Sequence, residues 1–343
     1  MSVRDTFKRL AYRTGALAKS HRKRNPKHLT VAMFHRVLPE DDPRFAGADP
    51  EWTLTDRLFR ESLAFFREHY TVLTPEQFEA SANDGGALPE CPLVLTFDDG
   101  WADNAEFAAP ILDEFDMAAY LFVVSSAVGR REAFWQERLF DAWKRRTVRD
   151  SDWAALWFEA GGTADEASSN WREARNLRRL VARLESLDEA RRERLLTNLS
   201  MTDEAPSPAQ MISEDQLVEV VRAGRMTVGS HGSTHTPLTK AEDLESELRG
   251  SREALGQLLD RDVPTLSFPH GRYDARVLER TREAGYRHLF TSDEFLNDCS
   301  AGAVPQLLGR INIPAHEIAV ASGGLAPERL ATWLFRREAR CLS

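Results

Sequence analysis

Short apolar runs alternate with amphipathic stretches over most of this chain, and the two patterns predict strands and helices in turn. Apolar runs of about four to eight residues bounded by turn-forming residues are typical of buried strands. The predicted strands are residues 29–37, 71–73, 92–95, 119–124, 226–229, 265–268, 288–291 and 309–313. Apolar residues at helical spacing predict helices at 55–66, from Pro75, and at 104–115, 215–222, 244–259 and 275–284. Repeated strand–helix units predict a parallel sheet with helices outside it.

A different pattern interrupts this alternation between about residues 132 and 207. The sequence there is charged, contains several tryptophans and lacks the apolar runs. A periodic apolar set predicts a packing face of Leu177, Leu180, Val181, Leu184 and Leu187. We interpret the region as a helical insertion between two strands. The predicted divisions are a basic N-terminal segment (1–27), an α/β domain (28–131 and 208–325), the insertion (132–207) and a C-terminal helix or tail (326–343).

Composition limits the classes of binding partner and the cellular compartment that we expect. The 343 residues carry a net charge of −9, which argues against nucleic acid as the main partner, because phosphate binding needs a basic surface. Three widely separated cysteines do not suggest a disulfide framework. No apolar run approaches the length of a bilayer span, and Arg9, Arg13 and Lys19 interrupt the place of a signal peptide's apolar region. We therefore expect a cytoplasmic protein with reduced thiols.

The N-terminal segment has a charge pattern unlike the rest of the chain. Residues 4–27 are strongly basic, with Phe7, Leu10 and Leu17 interspersed. We interpret the segment as a frayed, solvated terminal helix. The alternative is peripheral contact with the inner face of a membrane, to which anionic lipids would draw it.

Two adjacent carboxylates follow the predicted strand 92–95, in the hexapeptide LTFDDG. Successive strand side chains point to opposite faces, so Asp98 and Asp99 can take different roles. One can hold a metal while the other stays available as a base. Gly100 allows the chain to turn sharply after them. A solvated turn that caps the next helix is the alternative for an isolated Asp-Asp-Gly.

A second polar cluster, SHGSTH, follows the predicted strand 226–229. His231 and His235 lie four residues apart, which places both imidazoles on one side of a helical turn or tight loop. Two histidines and one carboxylate form a catalytic metal set that leaves positions open for water. A histidine pair at this spacing can arise by chance. Two such clusters, each at the C-terminal end of a predicted strand, together predict a metal centre.

The two clusters resemble the first two motifs of the polysaccharide deacetylases, the NodB-homology family. A third stretch, LSFPHGRYD, resembles the third motif of that family, with His270 where tyrosine is usual. The resemblance implies an α/β fold, a distorted (β/α)7 barrel of the NodB-homology type, here with the helical insertion. It also implies that Asp98 is the general base and that the metal ligands are Asp99, His231 and His235.

The general acid is less clearly marked. The late Leu-x-His motif of many family members has no clean copy here, and the nearest late histidine is His316. The first predicted strand, however, ends in Phe-His-Arg-Val and resembles the permuted branch, which includes the poly-N-acetylglucosamine deacetylases. In that branch the acid comes from the first strand, so we expect His35 in this role. A strand-end histidine bonded to backbone is the alternative for His35.

The resemblance implies hydrolysis of N-acetyl groups on an amino-sugar glycan or glycan precursor, with an N-acetylated carbohydrate as substrate. Zinc is the expected metal, and cobalt, nickel and iron also suit such a site. The residues expected to contact substrate are Phe268, Pro269, His270, Gly271 and Arg310. For Arg36 and Arg310, orientation of Asp98 or a structural ion pair are alternatives to substrate binding.

Other functions are kept as alternatives. One is a metal-dependent amidohydrolase that cleaves a non-sugar C–N amide bond, and another is a binding protein without catalysis. A third is an interaction protein that works through the insertion. The insertion could also recruit a partner glycosyltransferase.

Overall fold

The computed structural model describes residues 3–84, 88–165, 170–197, 199 and 209–342. The chain separates into two compact units. Unit 1 contains Met1–Pro39, Pro50–Arg130 and Met211–Ser343, and unit 2 contains Glu40–Asp49 and Arg131–Gln210. The predicted end of the insertion, residue 207, lies outside the described residues.

Unit 1 alternates strands and helices along most of its length. Its strands are β1 (His28–Phe34), β2 (Arg36–Val37), β3 (Thr53–Leu54), β4 (Thr71–Val72), β5 (Pro92–Phe97), β6 (Ala119–Val123), β7 (Met226–Ser230), β8 (Thr265–Ser267), β9 (His288–Phe290), β10 (Leu296–Asp298), β11 (Leu307–Leu308), β12 (Ile311–Asn312) and β13 (Ala339–Arg340). The α-helices of the whole described chain are α1 (Val3–Arg13), α2 (Ala16–Arg24), α3 (Asp56–His69), α4 (Pro75–Asp84), α5 (Ala109–Glu114), α6 (Trp135–Arg145), α7 (Asp150–Glu159), α8 (Ala174–Glu185), α9 (Glu189–Thr197), α10 (Glu214–Arg222), α11 (Ser251–Leu259), α12 (Ala275–Glu283), α13 (Ala315–Ile318) and α14 (Pro327–Phe335).

A parallel sheet forms the centre of unit 1. In the described chain its strand order is β11-β9-β8-β7-β6-β5-β1-β10-β13, with β12 also paired with β1 and β4 with β5. The β1–β10 pairing is antiparallel and the other pairings are parallel. The last strand position is divided, because β11 pairs with β9, β12 pairs with β1, and only Gly309 and Arg310 separate the two short strands. The prediction of a distorted (β/α)7 barrel with a helical insertion is confirmed, with the backbone ladder interrupted at this position.

The two faces of the sheet carry different side chains. Val31, Val94, Tyr120, Phe122 and Phe290 belong to one apolar cluster, whereas their apolar chain neighbours pack in two other clusters, which also contain helix residues. Strand side chains alternate between faces, so these residues define one face of the sheet, which we call the inner face. The same alternation carried to the strand ends places His35, Asp98 and His231 on the inner face. Strand geometry therefore points all three in one direction.

Gly229 shows how tightly the inner face is filled. A Cβ atom at this position would lie 2.5 Å from the ring of Phe122 and 2.6 Å from the Thr265 hydroxyl. Only glycine lets β7 approach its neighbours here, and the approach sets the position from which the following histidines leave the strand.

Several predicted elements differ from the structure in detail. The predicted strand 29–37 is interrupted at His35, and the predicted helix 244–259 begins as a π-helical turn over Ser246–Gly250. The predicted helix 104–115 begins as a π-helical turn over Asn104–Ala108 and continues as α5, with Pro110 in its first turn. Proline lacks the N–H that a helix interior needs, so it is tolerated at that position. The predicted strand 309–313 is shorter in the structure, which forms only β12 (Ile311–Asn312) within it; Gly309 and Arg310 lie between β11 and β12, which pair with different strands.

The N-terminal segment is packed rather than frayed, contrary to our expectation. Helices α1 and α2 pack on α14. Arg9 pairs with Glu328 at 2.8 Å, and the buried ring of His21 stacks on Phe335 with 4.2 Å between ring centroids. The contacts fix which face of each helix points outward.

Unit 2 is built from helices α6 to α9 and has its own apolar core. Leu177, Leu180 and Leu184 of the predicted packing face are fully buried there, together with Trp153 and Trp157. The short segment Glu40–Asp49 also belongs to this unit. Contacts that hold the segment in place include those from Lys144 to the carbonyl of Ala48 and from Arg178 to Asp49. Among the described helices of the whole chain, none combines the length and the apolar character that spanning a membrane requires.

Candidate active site

The C-terminal ends of parallel strands bring the predicted site residues together. Phe34 of β1 is paired with Phe97 of β5, so His35 and Asp98 follow at matching positions. The N–H of Asp98 donates to the carbonyl of Phe34 at 3.1 Å, and that of His231 donates to the carbonyl of Val123 at 2.9 Å. Residues that are far apart in sequence are therefore neighbours at one edge of the sheet.

Asp99 leaves the regular strand and faces the two histidines. Its φ of 79° lies in the left-handed region, which aspartate tolerates better than most residues. The Nε2 atoms of His231 and His235 lie 3.5 and 3.4 Å from its Oδ1. One ligand atom from each of the three side chains lies within 4.8 Å of the others. A single cation can therefore contact all three donors.

Hydrogen bonding sets the tautomer of His231. Its Nδ1 lies 2.9 Å from the carbonyl oxygen of Ser267. A carbonyl only accepts, so Nδ1 carries the proton and Nε2 presents its lone pair toward Asp99. Metal-binding histidines are commonly oriented in this way by a backbone carbonyl or carboxylate.

The loop between the two histidines is held by Glu247. This buried carboxylate accepts hydrogen bonds from the N–H groups of Ser233 and Thr234 at 2.7 and 3.1 Å, and from the Thr234 hydroxyl at 2.5 Å. His235 then takes a φ of 65°. The left-handed turn brings its ring back to within 5.2 Å of the His231 ring, centroid to centroid.

The three residues fit a divalent metal by the chemistry of their donors. Burial lowers the pKa of His231 below its ordinary 6.5, although Asp98 opposes this. Burial and the neighbouring His270 lower the pKa of His235 well below the same value. Both imidazoles are therefore neutral at neutral pH, which is the state that binds a metal. One carboxylate and two neutral imidazoles match the ligand types of catalytic zinc sites.

Asp98 lies in a different environment, dominated by Arg310. The Nη1 and Nη2 atoms of Arg310 donate to the two carboxylate oxygens of Asp98 at 2.6 and 2.7 Å. Ser267 donates to the same carboxylate at 3.3 Å. Both members of the pair are almost completely buried. This bidentate geometry is the strong form of an arginine–carboxylate contact.

The charge of Arg310 decides the ionisation state of Asp98. Burial alone would raise the pKa of this carboxyl, but Arg310, His231 and the hydrogen bonds outweigh it and hold the pKa far below its ordinary range. Asp98 is therefore ionised at neutral pH. Its position is fixed as well, because one guanidinium holds both of its oxygens.

Arg310 has protein partners for all the N–H groups of its guanidinium. Besides Asp98, it donates to the carbonyl of Thr291 at 2.8 Å and to the hydroxyls of Ser267 and Thr96 at 2.7 and 3.3 Å. The side chain is fully buried. These contacts match the orientation of Asp98, one alternative for Arg310, rather than direct contact with substrate.

His35 lies beside these groups with one ring nitrogen available. Its Nδ1 is buried and has no hydrogen-bond partner in the part of the chain that the structure describes. Its ring packs against Trp52, with centroids 4.4 Å apart. Burial lowers the pKa of His35, and the carboxylates of Asp99 and Asp98 oppose that change. The backbone is fixed from the other side, because Asn104 donates to the His35 carbonyl at 2.8 Å.

His316, the second candidate for the general acid, lies on α13 and is 56% exposed. Its ring nitrogens lie 3.8 Å from the carboxylates of Glu51 and Glu317. Neither of these contacts belongs to the site around Asp98 and Asp99.

The third motif borders the histidines. Phe268 and Pro269 are buried, and the ring of His270 stacks on that of His235 with centroids 4.5 Å apart. His270 and Gly271 both have positive φ, of 57° and 64°. The Nε2 of His270 donates to the His235 carbonyl at 3.1 Å. His270 therefore supports a candidate ligand from the position that tyrosine usually holds.

Three backbone N–H groups of this motif already donate hydrogen bonds within the protein. The N–H of Phe268 donates to the carbonyl of Phe290, and that of Gly271 donates to Phe268. The N–H of Arg272 donates to Pro269. These three groups are not available as backbone donors to an oxyanion.

A row of polar contacts lies behind Asp99. Arg36 matches the ion-pair alternative given for it from sequence, whereas the roles of Trp101 and Asp103 were not predicted. The Trp101 indole N–H donates to Asp99 Oδ2 at 2.9 Å. The guanidinium carbon of Arg36 lies 4.2 Å from the centre of the Trp101 ring, and Arg36 pairs with buried Asp103 at 2.8 Å. Trp101 and Asp103 follow the Asp-Asp pair closely, but strand and helix periodicity gives no sign of these contacts.

Comparison with known proteins gives matches in sequence and in fold. Residues 85–289 match the polysaccharide deacetylase family. A Bacillus subtilis protein named as a polysaccharide deacetylase, YxkH, is 23% identical over 115 residues, which cover 33% of this chain and 38% of that protein. The chain therefore matches well under half of the length of this relative.

Solved structures show the same fold. The Streptococcus pyogenes deacetylase PplD, in complex with acetate, matches with a TM-score of 0.56 and 18% identity, over 90% of this chain and 99% of that one. IcaB from Ammonifex degensii matches with a TM-score of 0.55 and 17% identity, over 90% and 97% of the two chains.

Proposed function

The chain belongs to the polysaccharide deacetylase family, and from this we propose that it is a metal-dependent hydrolase that removes N-acetyl groups from an amino-sugar glycan or its precursor. The family implies a hydrolase that acts on the C–N amide bond of an N-acetylated carbohydrate. The observation that carries the finer proposal is the division of the site. A carboxylate locked to Arg310 stands beside a second carboxylate grouped with two neutral imidazoles.

Asp99, His231 and His235 are the residues that would hold the metal. A divalent cation bound there would polarise the acetyl carbonyl and lower the pKa of the attacking water. The chain's own contribution is orientation. Trp101 holds one oxygen of Asp99, and the Ser267 carbonyl fixes the tautomer of His231. Glu247 fixes the loop that carries His235.

Asp98 acts as the general base. Arg310 keeps it ionised, so it can accept a proton from the attacking water. The oxygen of that water then bonds to the acetyl carbon. Arg310 also prevents the carboxylate from rotating, because it donates to both oxygens at once.

His35 acts as the general acid. When the C–N bond breaks, the departing sugar amine needs a proton, and a protonated His35 delivers it while acetate leaves. Burial lowers the pKa of His35, and the carboxylates of Asp99 and Asp98 offset part of that change because they favour the protonated form. The ring is held in position against Trp52.

The test combines metal content with acetate release on a panel of N-acetylated oligosaccharides and sugar nucleotides. Wild-type protein should bind about one metal per chain and release acetate. Asp98→Asn should keep the metal and lose about 10²–10⁴-fold in kcat, the usual contribution of a general base. Metal without acetate from any sugar, combined with cleavage of non-sugar amides, would replace the proposal with the amidohydrolase alternative.

A pair of histidine variants tests the acid. His35→Gln should lower kcat by about 10²–10⁴-fold with metal content retained. His316→Gln is the matched control, because this exposed histidine was the other candidate, and its activity should equal wild type. Full activity of His35→Gln would rule out His35, and loss of activity in His316→Gln would move the role there.

A further inference from the structure

The two most exposed large apolar side chains of the described chain lie one turn apart on α1. Phe7 is 71% exposed and Leu10 is 60% exposed. The other exposed large hydrophobic side chains among the described residues are Phe158, at 48%, and Trp52, at 38%, and they lie far apart in the sequence. Water-exposed apolar pairs of this kind mark contact sites more often than isolated residues do.

These side chains are held outward by the packing of the helix. On its other face, α1 pairs Arg9 with Glu328 at 2.8 Å. Tyr12 of the same helix lies 6.3 Å from Phe65, ring centroid to centroid, and the two rings are stacked. The Tyr12 hydroxyl also lies 3.3 Å from His69 Nε2. Turning Phe7 and Leu10 inward would break these contacts, so the exposure belongs to the fold.

The exposed pair belongs to the most basic segment of the chain. Residues 4–27 contain nine lysines and arginines and one aspartate, a net charge of +8 in a chain of net charge −9. The remaining residues therefore carry −17. The exposed basic residues of α1, α2 and the turn after them are Arg13, Lys19, Arg22, Lys23, Arg24 and Lys27. The positive charge is concentrated in one small part of an acidic protein.

We propose that the helical pair α1–α2 docks on an anionic phospholipid bilayer. Phe7 and Leu10 would insert between the headgroups, and the basic side chains would lie against the lipid phosphates. A bilayer suits this surface because it combines diffuse negative charge with an apolar interior. Long basic side chains spread over two helices meet diffuse charge without a fixed ion-pair geometry. The proposal does not depend on the proposed enzymatic function.

The apolar part of the proposal is tested by cosedimentation with vesicles of phosphatidylcholine and phosphatidylglycerol (about 3:1) at about 0.1 M salt. Wild-type protein should bind, and the affinity of Phe7→Ser/Leu10→Ser should be lower by about tenfold or more. Phe158→Ser is the matched control, because it removes an exposed aromatic side chain from unit 2, and it should bind like wild type. Equal binding of the double variant and wild type would overturn the proposal.

The charged part is tested on the same vesicles. Lys23→Glu/Arg24→Glu should reduce vesicle binding by about tenfold or more. Higher salt should weaken vesicle binding by the wild-type protein. Vesicles of pure phosphatidylcholine should bind poorly. Equal binding to neutral and anionic vesicles would refute the role of charge. Capture by soluble poly-aspartate without any vesicle binding would indicate a polyanion partner instead and overturn the proposal.

All these side chains are exposed, so the variants should keep the wild-type circular dichroism spectrum and unfolding temperature. Acetate release from a soluble substrate should also be unchanged. Failure of the wild-type protein to bind anionic vesicles, with normal acetate release, would therefore refute the membrane proposal and leave the proposed enzymatic function intact.

Discussion

Asp98 and Asp99 are adjacent in sequence but occupy two chemically opposite halves of the site. The negative charge of Asp98 is balanced by a buried arginine, Arg310, which donates to both carboxylate oxygens. The carboxylate of Asp99 faces two imidazoles that burial keeps neutral. In the first half, Asp98 and Arg310, the negative charge is balanced by a protein cation. The second half, Asp99 with His231 and His235, offers a negative charge and two lone pairs to a bound cation. The ionisation of Asp98 therefore depends mainly on Arg310, which is not one of the three candidate metal ligands.

The backbone creates this separation. Asp98 continues the alternation of β5 and lies on the inner face with Thr96, which also contacts Arg310. Asp99 takes a left-handed conformation and leaves that alternation. One residue of chain is therefore enough to move from the arginine to the histidines.

The largest effect is expected from breaking the first half. Arg310→Met leaves the buried charge of Asp98 uncompensated and should lower the free energy of unfolding by about 3–5 kcal/mol. Arg60→Met, which breaks the exposed pair with Glu114, should cost no more than about 1 kcal/mol. Urea unfolding measures both changes.

A double variant identifies the cause of the Arg310 effect. Asp98→Asn/Arg310→Met removes the charge together with its partner and should recover part of the lost stability. If the double variant is as unstable as Arg310→Met alone, packing of the arginine rather than the charge of Asp98 accounts for the loss.

Removing the carboxylate of the second half should affect metal rather than stability. Asp99→Asn should weaken metal binding by more than the about 10–100-fold that loss of an outer-shell partner causes. Asp98→Asn should leave metal affinity near wild type. Calorimetric titration of the metal-free proteins with zinc measures both. An equal loss of metal affinity in Asp99→Asn and Asp98→Asn would show that metal binding depends on both carboxylates alike.

A smaller change in the second half comes from its support. Trp101→Phe keeps the ring beneath Arg36 but removes the N–H that donates to Asp99. We expect metal affinity to fall by about 10–100-fold. Trp333→Phe removes a similar N–H bond, to the carbonyl of Asn312, and should leave metal affinity unchanged. An unchanged affinity in Trp101→Phe would mean that Asp99 does not depend on this contact.

The smallest effect is the response of the two halves to pH. Imidazolium cannot bind a metal, and the pKa values of His231 and His235 are lowered below 6.5. Affinity should therefore stay constant from pH 8 to about 6.5 and fall only at lower pH, by no more than about tenfold per unit for each histidine that takes up a proton. Zinc content after dialysis at each pH measures this. Release of metal between pH 8 and 7 would contradict the lowered pKa values.

Much of the fold could be predicted from the sequence, because buried strands give clear apolar runs. The runs around Val94, Phe122 and Val228 predicted strands that the structure contains. The resemblance to a known family supplied the barrel. The sequence did not show that the last strand position is divided at Gly309 and Arg310, because this depends on the two different strands with which β11 and β12 pair.

The candidate site was predictable where its residues stand next to one another in sequence. The Asp-Asp and His-x-x-x-His pairs are local patterns. The contacts that tune them are not local, because Ser267 lies 169 residues from Asp98 and Glu247 reaches back 14 residues to Ser233. Arg310 was noted from its place near a strand end, but its bidentate contact with Asp98 required the fold.

The pairing of Asp98 with Arg310 also has a consequence for the time at which the protein can mature. Arg310 follows Asp98 by 212 residues, so at about 5–20 residues per second a ribosome needs about 10–40 s to supply it. During that interval burial of the ionised carboxylate is opposed by its desolvation. The nascent barrel should therefore stay open at this edge until nearly the whole chain has been synthesised, and premature termination before residue 310 would leave a chain that cannot close.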